Sequence, residues 1–357
     1  MLANIMELKK LSSRIDSLQM IRGFAAIAVI LHHETQILTA KLDYTWLNEL
    51  FLPGSLGVDI FFVLSGFIIL HTSKFGQETT LQFLKKRAFR IYPIYIFFTV
   101  FMIAMAVVAP SEQSGYRLEI SNIIGSLLLL PQKKYIVHVA WTLSYEVIFY
   151  IVFSLTYFKS PKYMHAFFVI WGVVILGFEF SNFETDSLIL NTLLSPLIIE
   201  FYFGCLVAFF YKKIPYFKYG ALAFWAGLVL LIAMPVLKEG PIADHIDRMS
   251  LLGIPSALLV LGSLYLKSTI PSLLVFFGDA SYSIYLVHYT VLGFLLKLAE
   301  KFNLALYLHT LPGTIALFIC TFLAGCFFYY FIERNLQKLL KPLFFGKKTN
   351  STRVTVR

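Results

Sequence analysis

Residues 18–38 read LQMIRGFAAIAVILHHETQIL, an apolar run long enough to cross a bilayer, interrupted by an arginine and two adjacent histidines. The rest of the chain repeats the pattern. Of its 357 residues 58% are hydrophobic and 14% charged, and mean hydropathy is +0.75, too little polar surface for a soluble domain of this size. Apolar runs of about 20 residues recur from end to end, as in chains that cross a membrane repeatedly as helices. Ten spans are predicted, at 18–38, 54–73, 91–109, 141–158, 163–180, 188–210, 217–237, 249–266, 273–296 and 311–333. The first is no cleavable signal peptide, because Arg22 interrupts it and HHETQ follows in place of a small-residue cleavage site. The expected fold is all-α, a polytopic transmembrane helical bundle over residues 1–335, followed by a basic, disordered tail over 336–357.

The net charge of +10 invites a nucleic-acid partner, but topology accounts for it better. Ten spans put both termini on one side. That side receives 21 Lys and Arg residues against 7 on the other, so both termini are expected in the cytoplasm and no nucleic acid is expected. Cys205, Cys320 and Cys326 lie in apolar runs, are odd in number and show no metal-ligand spacing, so neither a disulfide framework nor a metal site is expected. The segment ISNIIGSLLLLP, 120–131, is too short to span and fits a re-entrant or interfacial piece. The tail FFGKKTNSTRVTVR suits contact with anionic lipid.

Ionisable side chains inside a membrane are expensive and mark function or packing. Arg22 and His33 are eleven residues apart, so on a helix they project from one face about 16 Å apart along the axis. His32 points about 100° away from that stripe. Ala25, Ala26 and Val29 lie between the pair, and this small-residue face reads as a track along which a thin ligand lies. Counting depth along each span puts His33, Asp59, Glu146 and His288 at one outer level, where Asp59 or Glu146 would orient the His33 imidazole. A polar cluster that merely fixes helix packing is the bland alternative. A second level, on the cytoplasmic side, holds Arg22 with Lys85, Lys86, Arg87 and Arg90 of FLKKRAFRIYP. Such basic runs are usually topological anchors, yet Arg87 and Arg90 share a helical face and suit a phosphorylated ligand. A long molecule must connect the two levels. Coenzyme A, with phosphates at one end and a thioester on a flexible arm, has that shape.

Here the residues match a known family. The chain resembles the acyltransferase-3 family of bacterial membrane acyltransferases over residues 12–335. LQMIRGFAAIAVILHH is similar to its first-helix motif of a basic residue, ten residues and a histidine, which falls on Arg22 and His33. GVDIFFVLSGFII resembles the second-helix signature and places Asp59, Ser65 and Gly66; FLKKRAFRIYPIY resembles the Arg-x-x-Arg motif at Arg87 and Arg90. WTLSYEVIFY is similar to a Trp-Ser-Leu-x-x-Glu segment, with Thr142 in place of serine and Glu146 retained. GDASYSIYLVH resembles the late Gly-Asp-x-Ser-Tyr motif at Asp279, Ser281, Tyr282 and His288.

The resemblance implies transfer of an acyl group, most often acetyl, from cytoplasmic acyl-coenzyme A to a hydroxyl of a cell-surface or lipid-linked glycan such as exopolysaccharide or lipopolysaccharide. It also implies a multi-pass protein of the bacterial inner membrane. Many relatives carry a fused hydrolase-like extracytoplasmic domain; this chain resembles the stand-alone branch, so a separate extracytoplasmic transfer protein is a possible partner. His33, Arg22, Glu146 and Asp59 are the expected catalytic set. Arg22, Arg87 and Arg90 are expected to hold the donor, and Asp279, Ser281, Tyr282 and His288 to line the channel. Direct general-base transfer by His33 and a covalent acyl-enzyme on a serine or on His33 both remain open. A transporter or lipid-linked glycan flippase is the competing class, since intramembrane charges and many helices suit it too.

Overall fold

The computed structural model describes residues 15–42, 52–109, 115, 118–181, 185–237, 252–266 and 269–346. Lys9, Lys10, Arg14, Arg117, Lys238, Arg248, Lys267 and the tail beyond 346 lie outside the described residues. The described residues contain helices and no strand. In chain order the α-helices are α1 (Asp16–Leu42), α2 (Leu56–Thr72), α3 (Thr80–Val108), α4 (Ile120–Leu127), α5 (Trp141–Tyr157), α6 (Pro161–Phe180) and α7 (Leu188–Leu193). They continue as α8 (Leu197–Lys213), α9 (Gly220–Leu237), α10 (Ile254–Ser263), α11 (Ser272–Lys301), α12 (Leu311–Phe327) and α13 (Arg334–Phe345). A π-helical turn, Phe328–Glu333, joins the last two.

Each expected span contains a helix, and the sixth is broken at Leu194–Pro196 into α7 and α8. Among the described residues six helical stretches are long and apolar enough to cross a membrane; α1 is not one of them, and α2, α9 and α10 are shorter apolar helices. Only 17% of the apolar stretch of α6 is covered by protein, so Val169, Ile170, Val173 and Val174 face outward. That exposure suits a hydrocarbon solvent and would be a severe liability in water. The segment after α3 forms the short α4, tied back by the Tyr95 hydroxyl to the Ser126 carbonyl at 2.6 Å. All three cysteines are free thiols.

Two kinds of contact hold the bundle. Small residues allow helices to approach backbone to backbone. A Cβ on Gly66 of α2 would lie 1.8 Å from the Phe201 carbonyl oxygen, and one on Gly204 of α8 would lie 2.0 Å from that of Val63. Around this crossing runs an aromatic column: Phe62 stacks on Phe201 at 4.5 Å, Phe201 on Phe149 at 4.7 Å, and Phe168 on Tyr202 at 5.2 Å. Each such pair adds about 0.5–1.5 kcal/mol beyond the area it buries. The column locks α2, α5, α6 and α8 and fixes the neighbouring Ser65 and Glu146.

Two expectations change. The face of Ala25 and Val29 is no open track. A Cβ on Gly57 of α2 would meet the Ala25 carbonyl oxygen at 2.4 Å and the Val29 side chain at 2.7 Å, so this face is used for close helix packing. Ala26 packs instead with Ile30, Ala280 and Ile284 between α1 and α11. Residues 336–345 are helical, not an unstructured tail. RNLQKLLKPLFF alternates Leu336, Leu339, Leu340 and Leu343 with Arg334, Lys338 and Lys341, an amphipathic pattern, and Phe344 and Phe345 pack on Phe89 of α3.

Candidate active site

The lower level of the site is a small cavity of about 70 Å³. Arg22 from α1, Ser65 from α2, Arg90 from α3, Glu146 from α5, and Ser281 and Tyr282 from α11 all line it. Arg22 is buried while Arg90 is exposed, so the cavity has a guanidinium at its wall and another at its lip. Lys41–Glu300 and Lys86–Glu78 are ion pairs that do not involve the cavity arginines. Arg22 nevertheless feels the charges of Glu146, Glu333 and Asp279, which oppose the field of Arg90.

Glu146 accepts hydrogen bonds from Ser65 at 2.7 Å and from Tyr150, four residues along its own helix. Arg87 turns away from the cavity: it donates to Thr72 Oγ1 at 2.7 Å and lies over the Phe83 ring at 5.1 Å. Of the Arg-x-x-Arg pair, Arg90 alone lines the cavity. Tyr282 donates to the Ile91 carbonyl at 2.9 Å, tying α11 to α3 just above Arg90. Ser281 is fully buried, lines the cavity, and its hydroxyl has no hydrogen-bond partner. A buried hydroxyl left unmatched calls for an explanation, and a bound ligand supplies one.

The upper level is a pair of histidines. His288 of α11 points Nε2 at His33 Nδ1, 3.1 Å away. Each ring also meets a backbone carbonyl: His33 Nδ1 lies 3.0 Å from Val29 O, and His288 Nδ1 lies 2.6 Å from Tyr285 O. Carbonyl oxygens only accept, so both Nδ1 atoms carry hydrogens. The His288 Nε2 lone pair then accepts from His33 Nδ1–H, and His33 Nε2 is left bare. That is the tautomer a general base needs, set by the hydrogen bond of the other nitrogen. Tyr289 packs edge-on to His33 at 5.5 Å, and the exposed His138 stacks on Tyr289 at 4.2 Å.

The structure thus divides the residues that depth counting grouped together. His33 meets His288, while Glu146 joins the arginines and Ser65 in the cavity. Asp59, fully buried in the first turn of α2, is not among the cavity-lining residues. The side chain placed against His33 Nδ1 is that of His288. Asp279 is half-buried and acts on Arg22 through its charge. Arg22 lies eleven residues from His33, about 16 Å along α1, beyond reach of a carbonyl reacting at His33.

Sequence reading missed Glu333, His138 and Tyr285. Glu333 is buried at the end of the π-helical turn, accepts from Ser283 at 2.6 Å and Gln337 at 3.0 Å, and its charge is felt by Arg22. A carboxylate at the end of FFYYFIE carries the same signal of an ionisable group in an apolar run that marked Arg22. His138 and Tyr285 carried no comparable signal. Among the described residues no group of three His, Cys, Asp or Glu side chains is arranged to hold a metal ion.

Comparison with known proteins agrees on one family. The family model described as an acyltransferase domain matches residues 15–330. The exopolysaccharide production protein ExoZ of Rhizobium meliloti (strain 1021) is 30% identical over 312 residues, covering 81% of this chain and 91% of that protein. The acyltransferase MdmB of Streptomyces mycarofaciens is 27% identical, covering 79% of this chain and 80% of its own length. Nodulation protein 10 of Rhizobium leguminosarum bv. viciae is 24% identical, covering 85% and 89% respectively. No solved structure matches significantly.

Proposed function

Because the chain belongs to the acyltransferase-3 family and is a multi-pass membrane O-acyltransferase, we propose that it moves a short acyl group, acetyl first of all, from acyl-coenzyme A to a glycan hydroxyl. The single observation that carries this reading is the His33–His288 pair set above a cavity lined by Arg22 and Arg90. The donor enters past Arg90, the exposed lip, from the side richer in basic loops, which suits the cytoplasmic face. Its phosphates lie toward Arg90 and Arg22, where guanidinium forks suit them. Its arm runs up the cavity, the Ser281 hydroxyl hydrogen-bonds to it, and the thioester reaches His33. Arg87 supports the lip from outside the cavity.

The acceptor approaches from the opposite face, beside the Tyr289–His138 stack, a flat surface suited to a sugar ring. His33 Nε2 removes the hydroxyl proton as the oxygen attacks the thioester carbonyl. The new C–O ester bond forms, the C–S bond breaks, and the coenzyme A thiolate leaves and takes up the proton from the His33 imidazolium. The Val29 carbonyl holds His33 in the tautomer that begins this cycle, and His288 steadies its ring. Relatedness to an exopolysaccharide production protein supports a glycan acceptor. The base and the acceptor surface meet at His33 with the donor cavity one level below, which favours direct transfer over an acyl-enzyme or a separate transfer protein.

Isotope-labelled acetyl-coenzyme A supplied to inverted membrane vesicles containing the full chain tests the reading. Ester-linked label on glycan, released by mild alkali, is expected. Label carried into the lumen without ester formation would favour a transporter instead.

A further inference from the structure

Neither His33 nor His288 lines the cavity; Tyr285, which does, also lies against His288. Tyr285 stands one turn above Ser281 on α11 and just below His288. It is buried and spans three helices. Its hydroxyl meets Thr142 Oγ1 of α5 at 2.9 Å and the Val139 carbonyl at 3.3 Å, and its ring packs edge-on against Phe61 of α2 at 5.8 Å. On the far side the same ring lies 5.8 Å from the ring of His288. Phe61, Thr142 and Tyr285 all face the cavity. From Ser281 to His288 the helix rises about 10 Å, and Tyr285 interrupts that path.

We propose that Tyr285, held by Thr142 and packed on Phe61, is an apolar aperture that selects the acyl group by its cross-section and charge. This rests on the donor path proposed above. The acyl group leads the donor's arm, so it must part the Phe61 and Tyr285 rings, which touch edge to face, before the thioester meets His33. A linear chain is no thicker than the arm that follows it and passes. A branched acyl group meets the rings, and an anionic one such as succinyl must shed its water against apolar walls. Length is thus a weaker criterion than width.

The test uses the full chain in membranes with acetyl-, butyryl-, isovaleryl- and succinyl-coenzyme A. Its readout is the kcat/KM of each donor relative to acetyl. For the unaltered protein, isovaleryl and succinyl are expected at least about tenfold below acetyl, with butyryl closer to it, in line with what one misfitting group costs in a pocket. Phe61→Ala opens the aperture and should raise the isovaleryl ratio about tenfold. Tyr285→Phe cuts the hydrogen bonds to both Thr142 and the Val139 carbonyl and should raise it about threefold, while Thr142→Val cuts only the first and should raise it by somewhat less. Thr142→Val is nearly isosteric and decides the matter should Phe61→Ala fail to fold. An isovaleryl ratio near one in the unaltered protein overturns the aperture, as does an unmoved ratio in folded, acetyl-transferring variants, while acetyl transfer itself stands. Absence of transfer from every donor removes the functional reading and the aperture with it.

Discussion

Replacing His288 by leucine isolates what the histidine pair contributes. The substitution removes the acceptor that lies 3.1 Å from His33 Nδ1. His33 keeps the Val29 carbonyl at 3.0 Å, so its Nδ1–H still has a partner and the productive tautomer survives. The loss is then one net hydrogen bond, about 0.5–1.5 kcal/mol. At about 1.4 kcal/mol per decade that lowers kcat/KM by about 2- to 13-fold. Loss of the base itself, in His33→Ala, costs about 10²–10⁴-fold. His288→Gln keeps an amide oxygen in place of Nε2 and should recover most of the activity, which a purely packing role for His288 would not predict. Rates are measured as ester formed from labelled acetyl-coenzyme A, with melting in detergent as the folding control. Full activity of folded His288→Leu would show that the pair does not position His33. A loss as deep as that of His33→Ala, with no rescue by glutamine, would make His288 itself the base.

Further consequences follow from the cavity and the bundle. Ser281→Ala should raise KM for the donor about 3- to 10-fold with kcat little changed, because its hydroxyl lacks a partner until a donor is bound; steady-state kinetics over donor concentration checks this, and a loss confined to kcat would contradict it. Glu333→Gln keeps a side chain that Ser283 can reach but removes a charge felt by Arg22, so donor KM should fall about two- to fivefold; a rise would mean that Glu333 sustains the arginines instead of opposing them. Gly66→Ala forces a Cβ to within 1.8 Å of a backbone oxygen that cannot swing away. It should cost about 3 kcal/mol and lower the melting midpoint by about 5 °C or more. Unchanged melting would place the α2–α8 crossing elsewhere.

The apolar runs made the helices legible, since length and hydropathy alone decide them in a membrane. Alignment of His33 and His288 was also within reach, because both count from helices that run alongside each other from Gly23 and Gly278 onward. Glu146 was misplaced for a physical reason. Depth counting starts each helix at the membrane surface, but α5 begins inside the bundle, preceded by the buried Tyr135, Ile136, Val137, Val139 and Ala140. Glu146 therefore lies a level deeper, with the arginines. Ala25 and Val29 looked like a track because small side chains leave room; which neighbour fills that room depends on Gly57, a long-range partner that no local pattern announces. The helix after Arg334 was hidden by its own basic residues, which read as tail until their spacing against the leucines is followed.

In the proposed reaction His33 Nε2 takes the acceptor proton while a separate cavity holds the donor. The most direct measurement is ester formation by His33→Ala in membranes at saturating acetyl-coenzyme A, with donor binding followed on the same preparation. Donor binding within about twofold of the unaltered protein, with ester formation reduced about 10²–10⁴-fold, is the predicted result. Ester formation at the unaltered rate would contradict the account.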